Sequence, residues 1–348
     1  MTGIETTAYA AAASAAPLQP TTITRRPLGE HDVLIDIQYC GVCHSDIHQA
    51  RDEWGESIFP MVPGHEITGL VSAVGSAVTR YSPGDRAGVG CFVDSCRTCA
   101  HCRKGQEQYC SSGLVFTYND RDADGRPTDG GYAGCIVVDE NYILTIPDTL
   151  PLDQAAPLLC AGITVYAPLR QWNVGPGTRL AVLGMGGLGH LAVKIGHALG
   201  ADVSVLSRTP DKEKDARAYG AKDFIVTGTS GELDRHQGAF DVLISTVSAP
   251  LDLDPYLNTL ATDGTFVCVG LPEAVAAVDL HTLVHGRRKI AGSMIGGIAE
   301  TQEMLDFCAA HRITADIETI PAQQINEAFE RTLTSDVHYR FVIDTHHL

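Results

Sequence analysis

Short apolar runs, separated by glycine, proline and polar turns, fill residues 1–150 of the chain. The runs at 33–37, 67–74 and 134–138 are rich in β-branched residues and are each about as long as a single strand. Turn residues such as those at 82–85 (SPGD) lie between them. Because runs of this length and composition are typical of strands, the pattern predicts a compact β-rich domain.

After Pro151 the pattern changes to an alternation of apolar strands and helices. The sequence predicts strands at 179–183, 203–206, 224–226, 240–245 and 265–269, and helices at 188–199 and 211–219. Alternation of this kind builds a parallel, doubly wound sheet. We therefore expect an α/β chain in which residues 151–290 form this second domain.

The last part of the chain is predicted to return to the first domain. A helix is predicted at 301–311 and a strand at 339–343, and such a strand needs a sheet to complete. The first domain would then comprise residues 1–150 and 291–348. The length of 348 residues also exceeds the size at which one hydrophobic core usually keeps growing, which predicts two domains.

Charge and composition exclude several classes of protein. A formal net charge of −17 argues against a nucleic-acid partner, because such proteins need a basic face to displace counterions. No stretch approaches the ~18 uncharged apolar residues of a membrane span, and residues 1–20 lack the basic and continuous apolar regions of a secretory signal. We expect a cytoplasmic protein without a membrane partner.

Four cysteines form one compact run with the spacing C-x2-C-x2-C-x7-C, namely Cys96, Cys99, Cys102 and Cys110. The total of eleven cysteines is odd, and the spacing suits metal ligands in a reducing compartment better than a disulfide framework. A redox C-x-x-C motif normally has only two cysteines. The run predicts a structural zinc site in a lobe at 91–112, which holds a loop and does no chemistry.

A second group of metal-binding residue types, Cys43, His65 and Cys160, is scattered along the chain. A catalytic zinc ion takes three protein ligands and leaves one position for water or substrate. On residues alone, however, a lone cysteine such as Cys160 is more often a small buried hydrophobe. The same interpretation covers the remaining cysteines, Cys40, Cys91, Cys135, Cys268 and Cys308.

A glycine-rich turn lies between the first strand and the first helix of the doubly wound region. It comprises Gly184, Met185, Gly186, Gly187, Leu188 and Gly189. In this setting the first glycine of G-x-G-x-x-G permits a tight turn, the second lets backbone amides approach a pyrophosphate, and the third lets the helix pack on the strand. The alternative is a purely structural turn.

The end of the next strand indicates which dinucleotide binds. An NAD-binding chain carries Asp or Glu there for the ribose 2′-hydroxyl, whereas this chain has Ser207 and Arg208, with Lys212 close behind. Arg208 can bind a 2′-phosphate through charge-assisted hydrogen bonds and Ser207 can donate to it. The residues favour NADP(H), unless both cations are merely solvated at the start of a helix.

Together these motifs resemble the zinc-dependent medium-chain alcohol dehydrogenases, with the cinnamyl alcohol dehydrogenase branch most similar. The resemblance runs along the whole chain and rests on the four-cysteine lobe and on residues 40–48 (CGVCHSDIH), 63–66 (PGHE), 156–166 (APLLCAGITVY), 184–190 (GMGGLGH) and 300–307 (ETQEMLDF). It implies a GroES-like catalytic domain with an inserted Rossmann domain, two Zn²⁺ per chain, NADP(H) and a homodimer.

The resemblance also assigns roles to individual residues. It makes Cys43, His65 and Cys160 the ligands of the catalytic zinc, with Glu66 able to approach the metal. Asp46 corresponds to the carboxylate that orients the zinc-bound histidine, as ligand imidazoles require. Ser45 corresponds to the hydroxyl that touches the substrate oxygen, and His48 to the end of a proton relay to solvent. On spacing alone, His48 is equally well a satisfied histidine at a helix start.

Further cofactor contacts follow from the same resemblance. They are Thr164 beside the nicotinamide, Thr246 and Val269 at strand ends, and Ser293 and Ile295 in a G-S-x-I-G segment that in the family also pairs across a dimer interface. Strand carboxyl ends are where a doubly wound sheet places its ligand.

The resemblance implies reversible hydride transfer, most naturally reduction of an aldehyde by NADPH. The substrate class stays open between aromatic and aliphatic aldehydes. Four aromatic residues are candidates for lining an apolar pocket, although aromatic side chains are more often part of the core: Trp54, Phe59, Phe92 and Tyr118. The alternatives are a polyol or sugar-alcohol dehydrogenase and a non-catalytic NADP-binding protein.

Overall fold

A computed structural model gives the fold of residues 3–272, 276–346 and 348. The chain forms two compact units, Met1–Cys160 with Gly296–Leu348 and Ala161–Ile295. The sequence-based boundaries at 150/151 and 290/291 lie slightly earlier in the chain. Residues 152–160 belong to the first unit because they pack on its sheet, where the Thr68 hydroxyl donates to the Leu152 carbonyl at 2.9 Å.

The strands, in chain order, are β1 (Ile4–Ala10), β2 (Gln19–Arg25), β3 (Asp32–Gly41), β4 (Ile67–Val74), β5 (Arg86–Val89), β6 (Phe92–Ser95), β7 (Leu114–Phe116), β8 (Cys135–Asp139), β9 (Leu144–Thr145), β10 (Arg179–Leu183), β11 (Asp202–Ser207), β12 (Asp223–Val226), β13 (Phe240–Ser245), β14 (Leu260–Cys268), β15 (Lys289–Gly292), β16 (Ile317–Pro321) and β17 (Arg340–Asp344). The helices are α1 (His44–Ala50), α2 (Leu152–Ala155), α3 (Ala161–Gln171), α4 (Gly189–Ala198), α5 (Glu213–Ala218), α6 (Asp254–Asn258), α7 (Leu280–Gly286), α8 (Ile298–His311) and α9 (Ile325–Leu333). No helix among these described residues is long and apolar enough to cross a membrane.

The first unit is built on one large, mostly antiparallel sheet. Its strands run in the order β16-β17-β3-β4-β5-β9, and β8 also pairs with β3. Alternate residues of β3 are buried at Val33, Ile35 and Ile37, while Asp36 between them is exposed. This alternation is that of a strand with one face in a core. The central strand β3 then leads directly into α1, which places the start of α1 beside the sheet.

The carboxyl-terminal segment adds strands to the same sheet. β17 pairs antiparallel with the end of β3, where Ile343 lies opposite Cys40. Helix α9 buries Ile325, Ala328 and Phe329, which recur at the spacing of one helix face. The last strand therefore reaches the sheet from which α1 begins.

The second unit is a parallel six-stranded sheet of the doubly wound type. The strand order is β12-β11-β10-β13-β14-β15, and every pairing is parallel. From β10 the chain builds outward through β11 and β12, and from β13 it builds outward on the other side, so the order reverses between β10 and β13. The carboxyl ends of strands at such a reversal form the usual ligand-binding crevice.

Candidate metal and cofactor site

Four buried side chains of the first unit converge on one point. The ligand atoms of Cys43, His65, Glu66 and Cys160 all lie within 4.8 Å of one another. Cys43 precedes the first residue of α1, His65 lies just before β4, and Cys160 ends the 3-10 turn that follows α2. The three residues predicted to bind the catalytic metal are therefore brought together, with Glu66 beside them.

Asp46 in the first turn of α1 organises this cluster. Its carboxylate accepts hydrogen bonds from the backbone N–H of Cys43 (2.9 Å), the backbone N–H of Gly64 (3.2 Å) and the hydroxyl of Tyr132 (3.0 Å). Its Oδ1 also lies 3.2 Å from Nδ1 of His65. A carboxylate on one ring nitrogen fixes the histidine orientation and leaves Nε2 for a metal. Asp46 thus has the position predicted for it.

Glu66 forms a fully buried ion pair with Arg340 of β17. Its second oxygen, Oε2, has no hydrogen-bond partner among the described residues. Burial raises the pKa of Glu66 to about 7, although Arg340 opposes the shift. A carboxylate that is held on one oxygen and unpartnered on the other suits a residue that approaches a cation.

The charges of the cluster also suit a cation. A hydrogen bond with Cys160 holds the pKa of Cys43 well below its usual value, and the same bond raises the pKa of Cys160 well above it. The two sulfurs thus compete for a proton in a buried place. Two thiol groups, an imidazole and a nearby carboxylate are a donor set that Zn²⁺ prefers, and a divalent cation would relieve the competition by binding both sulfurs as thiolates.

The predicted relay residues lie on the same helix. The Ser45 hydroxyl lies 3.6 Å from the Cys43 sulfur. His48, one turn further on, forms a 2.5 Å hydrogen bond through Nδ1 with Glu53 and stacks on Trp54, with ring centroids 4.9 Å apart. The hydrogen bond to Glu53 agrees with both interpretations of His48, as a relay residue and as a histidine that only completes a local hydrogen bond.

The aromatic candidates for a substrate pocket have different surroundings. Phe92 is buried and packs edge-on against Tyr142, so it belongs to the core. Tyr118 is buried and stacks on the ring of His65, with centroids 5.7 Å apart. Trp54 is 45% exposed and covers His48, and Phe59 is half-buried. Of the four, Tyr118 and Trp54 contact predicted site residues.

Several contacts at this site were not predicted. Arg340 lies in the last strand and Tyr132 between β7 and β8, and no local sequence pattern marks either as a partner of α1 or β4. Cys91, interpreted as a buried hydrophobe, is only half-buried; its thiol donates to the Leu159 carbonyl at 3.9 Å, and the neighbouring Cys160 thiol lowers its pKa. Cys268 is also half-buried, whereas the interpretation is confirmed for Cys40, Cys135 and Cys308.

The four-cysteine lobe forms a second converging set. The sulfur atoms of Cys96, Cys99, Cys102 and Cys110 lie within 4.8 Å of one another. Backbone N–H groups point at these sulfurs from inside the run, with Cys99 N 3.3 Å from Cys96 Sγ, Cys102 N 3.4 Å from Cys99 Sγ and Cys96 N 3.4 Å from Cys110 Sγ. Such bonds, which stabilise a thiolate, lower the pKa of Cys99 to about 5. Four convergent sulfurs in this setting fit a closed tetrahedral zinc site.

The glycine turn of the second unit has the geometry predicted for its three key glycines. Gly184 has a φ of 86°, which favours glycine. A side chain on Gly189 would lie 2.1 Å from the Gly184 carbonyl oxygen, so this position needs glycine for α4 to pack against the turn. At Gly186 a Cβ would meet nothing within 4 Å. The open side of the turn at Gly186 fits the approach of a pyrophosphate, with Gly187 and Leu188 completing the turn before α4.

The residues predicted to bind the 2′-phosphate lie at the carboxyl end of β11. Ser207 is the last residue of the strand and is half-buried, and Arg208 after it is exposed. Lys212 is drawn toward the glycine turn, because its ammonium group donates to the Met185 carbonyl at 2.9 Å. Burial lowers the pKa of Lys212. Two cations thus lie beside the ends of β10 and β11.

The other predicted cofactor contacts, Thr164 excepted, follow neighbouring strands at the same edge of the sheet. Thr246 follows β13 and donates through its hydroxyl to the carbonyl of Leu183 at 3.0 Å, next to the glycine turn. Val269 directly follows β14, and Ser293 and Ile295 follow β15. Thr164 lies in α3 and is buried.

Comparisons with known proteins agree with this architecture. The chain matches the family model of the Alcohol dehydrogenase GroES-like domain over residues 29–148 and that of Zinc-binding dehydrogenase over residues 187–310. It is 59% identical over 337 residues to NADP-dependent alcohol dehydrogenase C of Mycobacterium bovis, and the match covers 97% of both chains.

Two solved structures are similar along nearly their whole length. A cinnamyl alcohol dehydrogenase of Sorghum bicolor superposes with a TM-score of 0.95 at 42% identity, covering 98% of each chain. A cinnamyl alcohol dehydrogenase of Helicobacter pylori, complexed with NADP(H), has a TM-score of 0.93 at 42% identity and 99% coverage of each. The chain therefore belongs to the zinc-dependent medium-chain alcohol dehydrogenase family, in its cinnamyl alcohol dehydrogenase-like branch.

Proposed function

We propose that this protein is an NADP(H)-dependent oxidoreductase that interconverts primary alcohols and aldehydes and can reduce aldehydes with NADPH. The observation that carries the proposal is the convergence of Cys43, His65, Glu66 and Cys160 within 4.8 Å. Ser45 lies beside the same cluster, and the second unit supplies a dinucleotide turn flanked by two cations. The M. bovis relative is itself named an NADP-dependent alcohol dehydrogenase.

Cys43, His65 and Cys160 would hold the catalytic zinc. When bound, zinc supplies a Lewis acid for the substrate oxygen, and NADPH supplies the hydride. The chain's own contribution is to fix the donors. Asp46 holds His65 through Nδ1, and it also binds the backbone N–H of Cys43 at the start of α1. The two donors are thereby tied to one buried carboxylate.

Proton movement falls to the residues of α1 and the turn after it. The Ser45 hydroxyl lies 3.6 Å from the Cys43 sulfur, and it would give its proton to the substrate oxygen during reduction. His48 would exchange the proton with solvent. Glu53 holds the His48 ring by the 2.5 Å hydrogen bond at Nδ1 and so favours one orientation of the imidazole.

The variant Glu53→Gln tests this part of the proposal. Because the amide binds the His48 ring more weakly and carries no charge, we expect kcat to fall about tenfold, a fraction of the usual contribution of a general acid–base group. KM for the aldehyde should stay unchanged, and the solvent deuterium isotope effect on kcat should rise. The matched control is Asp52→Asn, since Asp52 accepts from Ser57 N and not from His48. An equal loss in both variants would contradict the role of Glu53.

The experiment that tests the function is a panel of aromatic aldehydes, aliphatic aldehydes and polyols assayed with NADPH and NADH in parallel. We expect turnover of aldehydes with NADPH. A preference for polyols would support the alternative of a polyol dehydrogenase, and turnover with no substrate would support a non-catalytic binding protein.

The variant Arg208→Ala tests the cofactor assignment within that panel. Loss of a charge-assisted hydrogen bond to the 2′-phosphate should raise KM for NADPH about 10- to 100-fold, while KM for NADH changes little. The control is Arg217→Ala, because Arg217 is exposed on α5 and pairs with Glu213. If the wild-type enzyme prefers NADH, the interpretation of Ser207 and Arg208 is wrong.

Two zinc ions per chain and a homodimer complete the proposal. Metal analysis of the purified protein tests the number of zinc ions, since one ion per chain would leave one of the two cysteine clusters without zinc.

The dimer is supported by large exposed apolar side chains on the second unit, at Leu271, Leu280, Val284, Ile290 and Met294. Light scattering should give twice the chain mass of 37.1 kDa. We also propose a cytoplasmic location, which fractionation of the source cells tests.

A further inference from the structure

Cys102 differs from the other three cysteines of the lobe in having a hydroxyl partner from the adjoining strand. The Ser95 hydroxyl, at the end of β6, lies 3.2 Å from the Cys102 sulfur. The same hydroxyl lies 2.8 Å from the hydroxyl of Tyr142. Among the four sulfur donors, all within the described residues, Cys102 alone is buried, with 8% of its surface exposed.

The chemistry of the three groups fixes the direction of these hydrogen bonds. A zinc-bound thiolate only accepts hydrogen bonds, so the single O–H of Ser95 donates to Cys102. The Ser95 oxygen can then only accept from Tyr142, whose hydroxyl donates. A tyrosine hydroxyl is protonated at neutral pH, and burial raises the pKa of Tyr142 further. The result is a series of two hydrogen bonds that runs from Tyr142 through Ser95 to Cys102.

Tyr142, where this series of hydrogen bonds begins, lies outside the lobe and is held by its own neighbours. Tyr142 belongs to the 3-10 turn Glu140–Tyr142, which follows β8 in the large sheet of the first unit. Tyr142 is 3% exposed, and its ring packs edge-on against Phe92 on one side and under the Arg97 guanidinium at 5.0 Å on another. Arg97 is tied to the same turn by a 3.0 Å hydrogen bond to Asp139.

We propose that Ser95 and Tyr142 are positioning residues for the zinc ion of the lobe, which hold Cys102 from the body of the first unit. The inference rests on the proposed assignment of a structural zinc to the four-cysteine run. Partners outside the ligand shell of a metal typically contribute 10- to 100-fold to metal affinity. Metal retention in the lobe would then depend on the docking of the lobe against the β8–β9 turn.

The test measures the rate at which zinc leaves the lobe. The protein, purified with its metal, is mixed with an excess of a colorimetric zinc chelator, and the release is followed in a His65→Ala background. That background removes a ligand of the other cluster, so the slow phase reports the lobe alone. We expect Ser95→Ala to speed the release about 10- to 100-fold and Tyr142→Phe to speed it by a smaller factor.

Two further variants separate positioning from simple packing. Ser95→Thr keeps the hydroxyl and should restore slow release. Thr98→Ala removes an exposed hydroxyl that lies 3.8 Å from the Cys96 sulfur, and it should change little. Equal release rates in Ser95→Ala and Thr98→Ala would overturn the inference. A lobe that binds no zinc in the wild-type protein would overturn the metal assignment as well, whereas failure of aldehyde reduction with zinc retained in the lobe would affect only the proposed function.

Discussion

Replacing Cys160 by alanine is expected to abolish turnover while leaving a folded protein that still binds NADPH. Cys160 is one of two sulfurs in the cluster with His65 and Glu66, and a site with one thiolate and one histidine holds zinc weakly. Losing the several kcal/mol that a metal supplies to the transition state corresponds to a fall in kcat/KM of at least about a thousandfold. NADPH binding should persist because the glycine turn and Arg208 belong to the second unit.

The measurements are steady-state kinetics, metal analysis, circular dichroism and a fluorescence titration with NADPH. Zinc should fall by one ion per chain. Cys308→Ala is the matched control, since it makes the same chemical change at a fully buried cysteine that contacts Met304 in α8 and lies outside both clusters. A Cys160→Ala protein that retains activity would contradict the assignment, and a protein that no longer folds would mean that Cys160 has a structural role.

The local pattern of the sequence is sufficient to predict most of the second unit. The predicted strands at 179–183 and 240–245 coincide with β10 and β13, and α4 at Gly189–Ala198 lies within the predicted 188–199. These segments are continuous apolar runs bounded by glycine or polar turns, so their ends are marked. The start of β14 at Leu260, before the polar residues 262–264, is not marked in this way, and the strand was predicted to begin at 265.

The candidate metal sites could also be predicted, because their ligand types and spacings are unusual in themselves. The hydrogen-bond and ion-pair partners of the residues around these sites could not be predicted from the sequence. Asp46 accepts from Tyr132, and Glu66 pairs with Arg340. These pairs join residues far apart in the chain, and neither hydrophobic periodicity nor motif spacing specifies which distant strand will lie against a given turn. Tertiary packing alone determines them.

The Glu66–Arg340 pair connects the site to the carboxyl-terminal strand. Arg340 begins β17, which pairs with both β16 and β3. The Arg340 side chain is 4% exposed, and the Glu66 side chain is fully buried. The last strand thus contributes a charge beside the candidate metal ligands in addition to completing the sheet.

Arg340→Met is expected to lower stability strongly, because it removes one partner of this buried pair. Breaking such a pair leaves an uncompensated charge and costs about 3–5 kcal/mol, which corresponds to a fall in melting temperature of roughly 4–7 °C in a chain of this size. Differential scanning fluorimetry measures it on protein from which a chelator has removed any metal held by Cys43, His65 and Cys160, so that no bound cation acts on Glu66. The double variant Glu66→Gln with Arg340→Met, which leaves no buried charge at the pair, should recover part of the loss.

The stability lost in Arg340→Met should also depend on pH, and the direction of this dependence follows from the titration of Glu66. A carboxyl group whose pKa in the folded protein exceeds its unfolded value stabilises the fold while it is protonated, and this contribution is lost as the pH rises through the folded value. Burial raises the pKa of Glu66 to about 7 even with Arg340 opposing the shift, so removing Arg340 should raise it further. The deficit of Arg340→Met relative to the wild type should therefore be smaller at pH 6 than at pH 8.5, where the unpaired carboxylate is ionised. A deficit independent of pH would show that Arg340 acts through packing, and a variant as stable as the wild type would contradict the buried ion pair.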